Sequence, residues 1–277
     1  MKMLFSKMHG AGNDFVLVDD SASGANRSPR FIAHLCNRHL GIGADGVIFL
    51  KKNPDENIIR MDYFNSDGSA AAVCGNGLRC AAAFAFRKGL GHGRKNLDFL
   101  TGGNLLRTEI MDDTGESVKI ELPVTEPFQK YELENAEIVY KGTTGVPHLI
   151  KIVPDLETLD VRAEGRRLRF HARFQPEGAN VDFVSFSNRN RPAAVRTYER
   201  GVEDETLACG TGCASTGAVL HLFFGFPEKL SILSRGGDVL EIEIIKECNI
   251  LKGVFLTGPA VTVFDGELCK RNQDYSI

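Results

Sequence analysis

The chain has 277 residues, a formal net charge of −3, 43% hydrophobic and 25% charged residues. That length buries a substantial core in one large or two modest domains, and the composition is that of a soluble globular protein rather than a disordered or membrane one. Without a net basic field to release counterions from phosphates, a nucleic-acid partner is excluded, and short basic clusters such as GRRLRF are read as a solvated face.

The N-terminal stretch MKMLFSKMHGAGNDF has too short an apolar run between Lys2 and Lys7 for a signal-peptide core. No apolar run approaches the roughly eighteen residues of a membrane span, so no membrane partner is expected. In chain order, GNDFVLVD reads as a strand, HLCNRHL as a helix, and GVIFLKK and IIRMDYF as strands. LRCAAAFAFRKG, Leu78 to Gly89, is a compact apolar helix closed by a glycine. SVKIEL, EIVYKG, HLIKIV and ANVDFVSF read as strands, CASTGAVLHLFFG (Cys213 to Gly225) as a second apolar helix closed by glycine, and VLEIEII as a late strand. Both helices look buried on all sides rather than amphipathic.

GIGADG, Gly41 to Gly46, satisfies a dinucleotide-binding string, but a helix precedes it and a strand follows, the reverse of the order that function needs. It is read as a glycine-rich turn.

The chain repeats itself. DYFNSDGSAAAVCGNG (Asp62 to Gly77) and TYERGVEDETLACGTG (Thr197 to Gly212) align with Tyr, Cys, Gly and Gly in register, and each leads into one of the apolar helices. GNDFVLVD and ANVDFVSF add a second echo, an Asn ahead of an Asp-Phe-Val strand. Two similar α+β halves are expected, each a strand-rich curved sheet around one central helix, with the crossing near ELPVTEPFQK (Glu121 to Lys130).

Each repeat places a cysteine, Cys74 or Cys209, at a helix mouth beside Gly-x-Gly. The first turn of a helix offers unpaired N–H groups and the positive end of the macrodipole, which stabilise a thiolate and favour a carboxylate. Two such thiols facing one pocket suit proton transfer at a carbon held between them: one thiolate removes an α-proton and the opposite thiol returns one, inverting the centre. Rival readings are a metal site, which the cysteine spacings do not favour, and a redox disulfide between the two thiols. Cys36, Cys80, Cys213, Cys248 and Cys269 are read as plain buried cysteines. Seven cysteines without a disulfide framework suit a reducing cytoplasm.

KMHGAGNDFV, NRHLGIGADG, FNSDGSAAAVCGNGLRCAAAF, TYERGVEDETLACGTG and GPAVTVFDG together resemble the diaminopimelate epimerases over essentially the whole chain. The resemblance implies an isomerase that works without pyridoxal phosphate or any other cofactor, and without a metal. The implied reaction interconverts LL- and meso-2,6-diaminopimelate in lysine and peptidoglycan-precursor synthesis. It also implies two pseudo-symmetric domains, with the active site in the cleft between them, in a homodimer. We set the halves at 1–121 with 259–277, carrying Cys74, and 122–258, carrying Cys209.

Carried over residue by residue, Cys209 resembles the base that deprotonates the LL-substrate and Cys74 the acid that reprotonates it. Gly75, Asn76, Gly210 and Thr211 would hold the reacting carboxylate. Asn13, Gly46, Asn65, Asn180, Glu199 and Arg200 would contact the substrate, and His148 and Glu199 would tune the thiols. For the three Asn residues, turn or cap formation is the structural alternative. Without the resemblance, His148 after Pro147 is a bland loop residue. Phe264 falls where the family has an aromatic at its dimer contact, although an aromatic there equally suits a core. One departure stands out: Val146 in TGVPHLI occupies a position where many members have a substrate-contacting Asn. Alternatives to the epimerase are a cofactor-independent racemase of proline, hydroxyproline or histidine, and a non-catalytic thiol redox sensor.

Overall fold

Ala11 and Gly12, with φ of 54° and 86°, close a tight hairpin between β1 (Lys2–Gly10) and β2 (Asn13–Asp19). A two-residue turn with both φ positive matches the right-handed twist of the strands it joins. The structure is a computed structural model that describes residues 2–21, 24–52, 58–70 and 74–269. It divides the chain into two units, Met1–Ile120 with Pro259–Ile277, and Glu121–Gly258.

In the first unit α1 (Pro29–Cys36) starts where the Ser28 side chain caps the Phe31 N–H and Pro29 supplies a preset φ. It carries the chain over to β3 (Gly46–Lys52), parallel to β2, and β4 (Ile58–Asn65) returns antiparallel. After α2 (Gly75–Arg87), β5 (Asn96–Thr101) lies parallel to β4, followed antiparallel by β6 (Asn104–Ile110) and the first part of β7 (Ser117–Glu132).

The second unit repeats the plan. The rest of β7 pairs with β8 (Ile138–Thr144), which turns into β9 (Val146–Ile152). After α3 (Val161–Arg169), β10 (Asn180–Ser185) runs parallel to β9, β11 (Ala193–Glu199) returns, and β12 (Asp204–Thr206) pairs onto it. Then α4 (Gly210–Phe224) leads to β13 (Lys229–Leu233), parallel to β11, and to β14 (Val239–Glu247) and β15 (Ile250–Pro259), both antiparallel. The last strand, β16 (Val261–Cys269), returns to the first unit beside β1.

Each unit therefore has the same alternation of parallel and antiparallel neighbours, with its helices in the same two intervals, and the class is α+β. α2 packs against β1, β2, β3 and β6, and α4 against β8, β9, β10, β11, β13 and β14. Strands well apart in each sheet reach the same helix, so each sheet curls around it. The opposite face of the first sheet is covered by α1, whose Phe31, Ile32 and Leu35 pack on Val16, Val47 and Phe49. α3 does the same in the second unit, with Val161 and Leu168 against Leu149, Val181 and Tyr198.

Three sequence expectations change here. The helix expected over HLCNRHL ends at Cys36, because the Asn37 side chain accepts the N–H groups of His39 and Leu40 and diverts the chain into a turn. The Asn echo is not a repeat in space: Asn13 opens the second strand of its unit, whereas Asn180 opens the counterpart of β3. Cys248 is exposed, not buried, because it shares a two-residue β14–β15 turn with Asn249, at φ of 49° and 64°. Cys36, Cys80 and Cys213 are buried as expected. The side chain of Cys269, and residues 71–73 of the first cysteine box, lie outside the described residues. Among the described residues no helix is long and apolar enough to cross a membrane.

Gly165 sets how closely α3 lies on β11, since a Cβ there would overlap the Tyr198 side chain. Alanine would gain about 1 kcal/mol of helix propensity, but overpacking a closed contact costs about 1–3 kcal/mol. Tyr198 is 2% exposed and has nowhere to swing, so Gly165→Ala is expected to lower unfolding free energy in urea. A stabilised variant would contradict the contact.

Candidate functional site

Cys74 and Cys209 occupy the same position in two helices. Each is the residue before the first helical turn, in extended conformation (φ −103°, ψ 122° and φ −112°, ψ 109°), and each carbonyl accepts the first intrahelical bond, from Leu78 and Cys213. Neither side chain caps its helix, and neither first turn carries an acid. Gly75–Asn76–Gly77 and Gly210–Thr211–Gly212 are thus first turns of buried helices with small residues and N–H groups suited to an anion.

Around Cys74 the polar groups form a chain. Its Sγ lies 3.5 Å from Asn13 Oδ1, and Asn76 Nδ2 donates to the same oxygen at 3.3 Å. Asn13 Nδ2 donates to Asp45 Oδ2 at 2.7 Å, and Asp45 also accepts from Arg38 Nη2 at 2.8 Å. The GIGADG turn therefore contributes an acid that fixes the amide of Asn13, not a phosphate cradle. Gly46 pairs with Phe15 and with Asn65, so Asn13, Gly46 and Asn65 stand at one end of β2, β3 and β4. A Cβ on Gly46 would meet Phe64 O and the Tyr63 ring, which is a packing reason for glycine there. Asn65 closes its own turn, with Nδ2 donating to Ser69 Oγ at 3.1 Å and its backbone N–H to Ser69 O at 2.9 Å.

Around Cys209 the network is deeper. His148 is fully buried on β9, not on a loop; its Nδ1 lies 2.7 Å from Asp182 Oδ2, its Nε2 3.0 Å from Thr211 Oγ1. Thr211 Oγ1 is in turn 3.4 Å from Cys209 Sγ. Because a carboxylate only accepts, Nδ1 carries the hydrogen toward Asp182. Thr197 Oγ1 donates to the other carboxylate oxygen at 2.7 Å. Gly212 has to be glycine because a Cβ would overlap Asp182 Oδ1. Asn180 accepts the Arg200 N–H at 2.7 Å and directs Nδ2 to Pro147 O and His148 Nε2, each at 3.4 Å. Arg200 and Glu199 are half-buried at the end of β11, and Arg200 Nη1 reaches Glu177 O at 3.3 Å.

Burial drives the Cys209 thiol well above its ordinary range, with Glu199 and Asp182 adding to the rise and Thr211 and the Gly212 N–H opposing it. Cys36 and Cys80 are pushed up to about 11 and about 12 by burial, as expected of inert core thiols. Val146 opens β9 as Asn13 opens β2, half-buried and paired with Thr144, so the duplicated position is polar in one unit and apolar in the other. Phe264 is 46% exposed on β16, with its ring edge-on to Phe5.

Asp182, Thr197, Asp45 and Arg38 belong to these networks and are not identified from sequence. For Asp182 a signal exists, since Asn180 and Asp182 put two polar side chains on one face of a strand buried almost throughout.

Comparison with known proteins extends this picture. A family profile described as diaminopimelate epimerase matches residues 5–124 and 140–263. The diaminopimelate epimerase of Aquifex aeolicus (strain VF5) is 40% identical, covering 99% of this chain and 100% of that protein. The protein of the same name from Archaeoglobus fulgidus is 36% identical, covering 100% of both. Among solved structures, a PhzF-family phenazine biosynthesis protein of Bacillus anthracis has a TM-score of 0.74 at 15% identity, covering 98% of this chain and 100% of that one. A hydroxyproline epimerase of Agrobacterium vitis with bound trans-4-hydroxy-L-proline has a TM-score of 0.67 at 15% identity, covering 96% and 92%. At those identities the likeness to the two structures is one of fold.

Asp182→Asn keeps the shape of the side chain but exchanges one of its two acceptor oxygens for a donor, so it can no longer accept from both the fully buried His148 and Thr197, and one buried group loses its acceptor. Leaving that group poorly satisfied costs about 1–3 kcal/mol, so urea unfolding of the variant is expected to show a loss of that size. Unchanged stability would contradict the buried pair.

Proposed function

The chain belongs to the diaminopimelate epimerase family, which makes it an isomerase, and we propose that it interconverts LL- and meso-2,6-diaminopimelate by a two-base mechanism without pyridoxal phosphate. The observation that carries this reading is the duplication of a thiol at the mouth of a buried helix whose first turn is open to a carboxylate. In the proposed reaction the Cys209 thiolate takes the α-proton of the LL centre, and the Cys74 thiol gives a proton to the opposite face. In the reverse direction the roles exchange. The first-turn N–H groups of Gly75, Asn76, Gly210 and Thr211 would hold the carboxylate and stabilise the charge that develops on it.

For Cys209 the network supports a route for the proton. Cys209 Sγ lies beside Thr211 Oγ1 and Thr211 Oγ1 beside His148 Nε2, and in the proposed route the thiol donates to the hydroxyl and the hydroxyl to the imidazole. Moving both hydrogens one step leaves a thiolate and an imidazolium that rests against Asp182. Asn13, Asn65, Asn180, Glu199 and Arg200 are proposed substrate contacts; Arg200 suits a carboxylate by its forked donors, and Glu199 suits an ammonium. We further propose a cytoplasmic homodimer serving lysine and peptidoglycan-precursor synthesis, with the exposed Phe264 on its contact.

Val146 favours a second reading, a racemase of a single-headed amino acid, because an apolar side chain opens β9. A substrate panel of diaminopimelate, proline, hydroxyproline and histidine separates the two. Incubating LL-diaminopimelate with reduced protein in deuterated water is expected to give meso product carrying deuterium at the inverted centre. Cys74→Ala and Cys209→Ala are each expected to cut inversion by at least about 10³-fold. Inversion retained in Cys74→Ala would overturn the two-base scheme.

A further inference from the structure

A guanidinium can only donate hydrogen bonds and a carboxylate can only accept them, and a short chain of amides at the mouth of α2 runs from one to the other. Arg79 on α2, at 0% exposure, donates from Nη2 to Asn76 Oδ1 at 2.9 Å. Asn76 Nδ2 then donates to Asn13 Oδ1 at 3.3 Å, and Asn13 Nδ2 to Asp45 Oδ2 at 2.7 Å. Turning either amide over would set donor against donor at the guanidinium or oxygen against oxygen at the carboxylate. The Asn13 side chain is therefore fixed in one sense, with its nitrogen on Asp45 and its oxygen toward Cys74 Sγ, 3.5 Å away.

Asp45 is itself held at both oxygens. Its Oδ1 accepts from Arg38 Nη2 at 2.8 Å, and its Oδ2 takes the Asp14 N–H at 3.1 Å beside the Asn13 amide. The Asp45 N–H returns to Asp14 O and Oδ1, at 2.9 and 3.0 Å, so the two acids bind each other's backbone where β2 and β3 begin side by side. Arg38 also forks onto Asp14 at 2.8 and 2.9 Å, and Lys7 joins it at 2.7 Å. Burial works against the Asp14 charge, yet Arg38 and Lys7 hold its carboxyl well below the usual carboxylate range, so it stays an acceptor. With side chains 58% and 45% exposed, the Arg38–Asp45 pair adds little stability. What it fixes is the direction in which Asp45 presents its oxygens.

Asn180 in the second unit carries the opposite setting. Its oxygen takes the Arg200 N–H at 2.7 Å, a group that only donates, so its nitrogen is the end turned to Pro147 O and His148 Nε2. Two asparagines from similar stretches of sequence are thus set with opposite polarity, one by a carboxylate and the other by a backbone N–H.

We propose that Asp45, braced by Arg38, is a positioning residue that commits Asn13 to accepting, so that the mouth of α2 reads a cationic nitrogen beside a carboxylate and not a second anionic group. The first-turn N–H groups suit the carboxylate, and the ammonium on the same α-carbon is the donor that suits an oxygen fixed next to Cys74. The contacts Asn13 Oδ1 makes in the ligand-free protein, with an amide at 3.3 Å and a thiol at 3.5 Å, are weak ones that a charged donor displaces. The identity of the ligand rests on the proposed function, whereas the fixed sense of the amide does not.

The test is nuclear magnetic resonance of the isotope-labelled, reduced full chain, reading the Overhauser contacts of the Asn13 side-chain amide. Asn13 Nδ2 and the Asp14 N–H donate to one Asp45 oxygen, so a contact between their hydrogens is expected in the free protein and is expected to persist when LL-diaminopimelate is added. A contact absent from the unmodified protein, or lost on adding substrate, overturns the proposal without any variant. Asp45→Ala is expected to abolish the contact and, in protein that circular dichroism shows to be folded, to lower kcat/KM for inversion about 10- to 100-fold, the worth of one hydrogen bond to a charged group. Asn13→Ala is expected to lose a similar amount, and the double variant no more than Asn13→Ala alone, because Asp45 acts through Asn13. Losses that add in the double variant overturn that route. The contact is read without turnover: present and dependent on Asp45 in a protein that inverts no amino acid, it would sink the proposed function and leave the fixed amide standing. Inversion in a protein that lacks the contact would overturn this inference alone.

Discussion

A helix whose N-terminal turns are buried has nothing but the protein, or a ligand, to satisfy the N–H groups of its first turn. That constraint governs both α2 and α4. In each, the residue that a helix would ordinarily fill with a capping oxygen is a cysteine. Small residues fill the first turn because the surrounding sheet leaves no room for larger ones: Gly77 lies against Ile48 and Phe15, and Gly212 against Asp182. The curl of the sheet, the glycine pattern and the reach of the thiol follow from closing a sheet around a helix while keeping its positive end open to an anion.

Much of this was readable in the sequence because it is local. The apolar helices, their closing glycines, the strand alternation and the paired cysteine boxes are all carried by residues near one another in the chain. What was not readable depends on partners brought from elsewhere. Asp182 becomes the partner of His148 only when β10 lies parallel to β9, and Asp45 holds Asn13 only when β3 lies beside β2. Arg79 in a run of alanine and phenylalanine gives no hint that its charge is buried, since a lone arginine on a helix is ordinarily taken as its solvent side. The Asn echo misled for the opposite reason: two strands with similar composition occupy different ranks in their sheets.

GIGADG shows how a signature can arise from unrelated needs. A Cβ on Gly41 would collide with backbone carbonyls at the end of α1, Gly43 has φ of 80°, and Gly46 lies against Phe64 O. Three glycines with three separate steric reasons spell a nucleotide-binding string by coincidence of spacing. What the segment contributes to the surroundings of Cys74 is its acid, Asp45, through Asn13.

The return of the chain at β16 also shapes how the protein comes into being. β1 pairs on one side with β2 and on the other with residues 261–269, so it waits for a strand that is made only after the whole of the second unit. The second unit, by contrast, is a continuous stretch from Glu121 to Gly258. Synthesis from the N-terminus therefore delivers all of the middle of the chain before it delivers the strand that seals the beginning. Until then Phe5 and Met8, buried in the finished fold, belong to a strand with an open edge, the kind of surface that newly made chains have to shield.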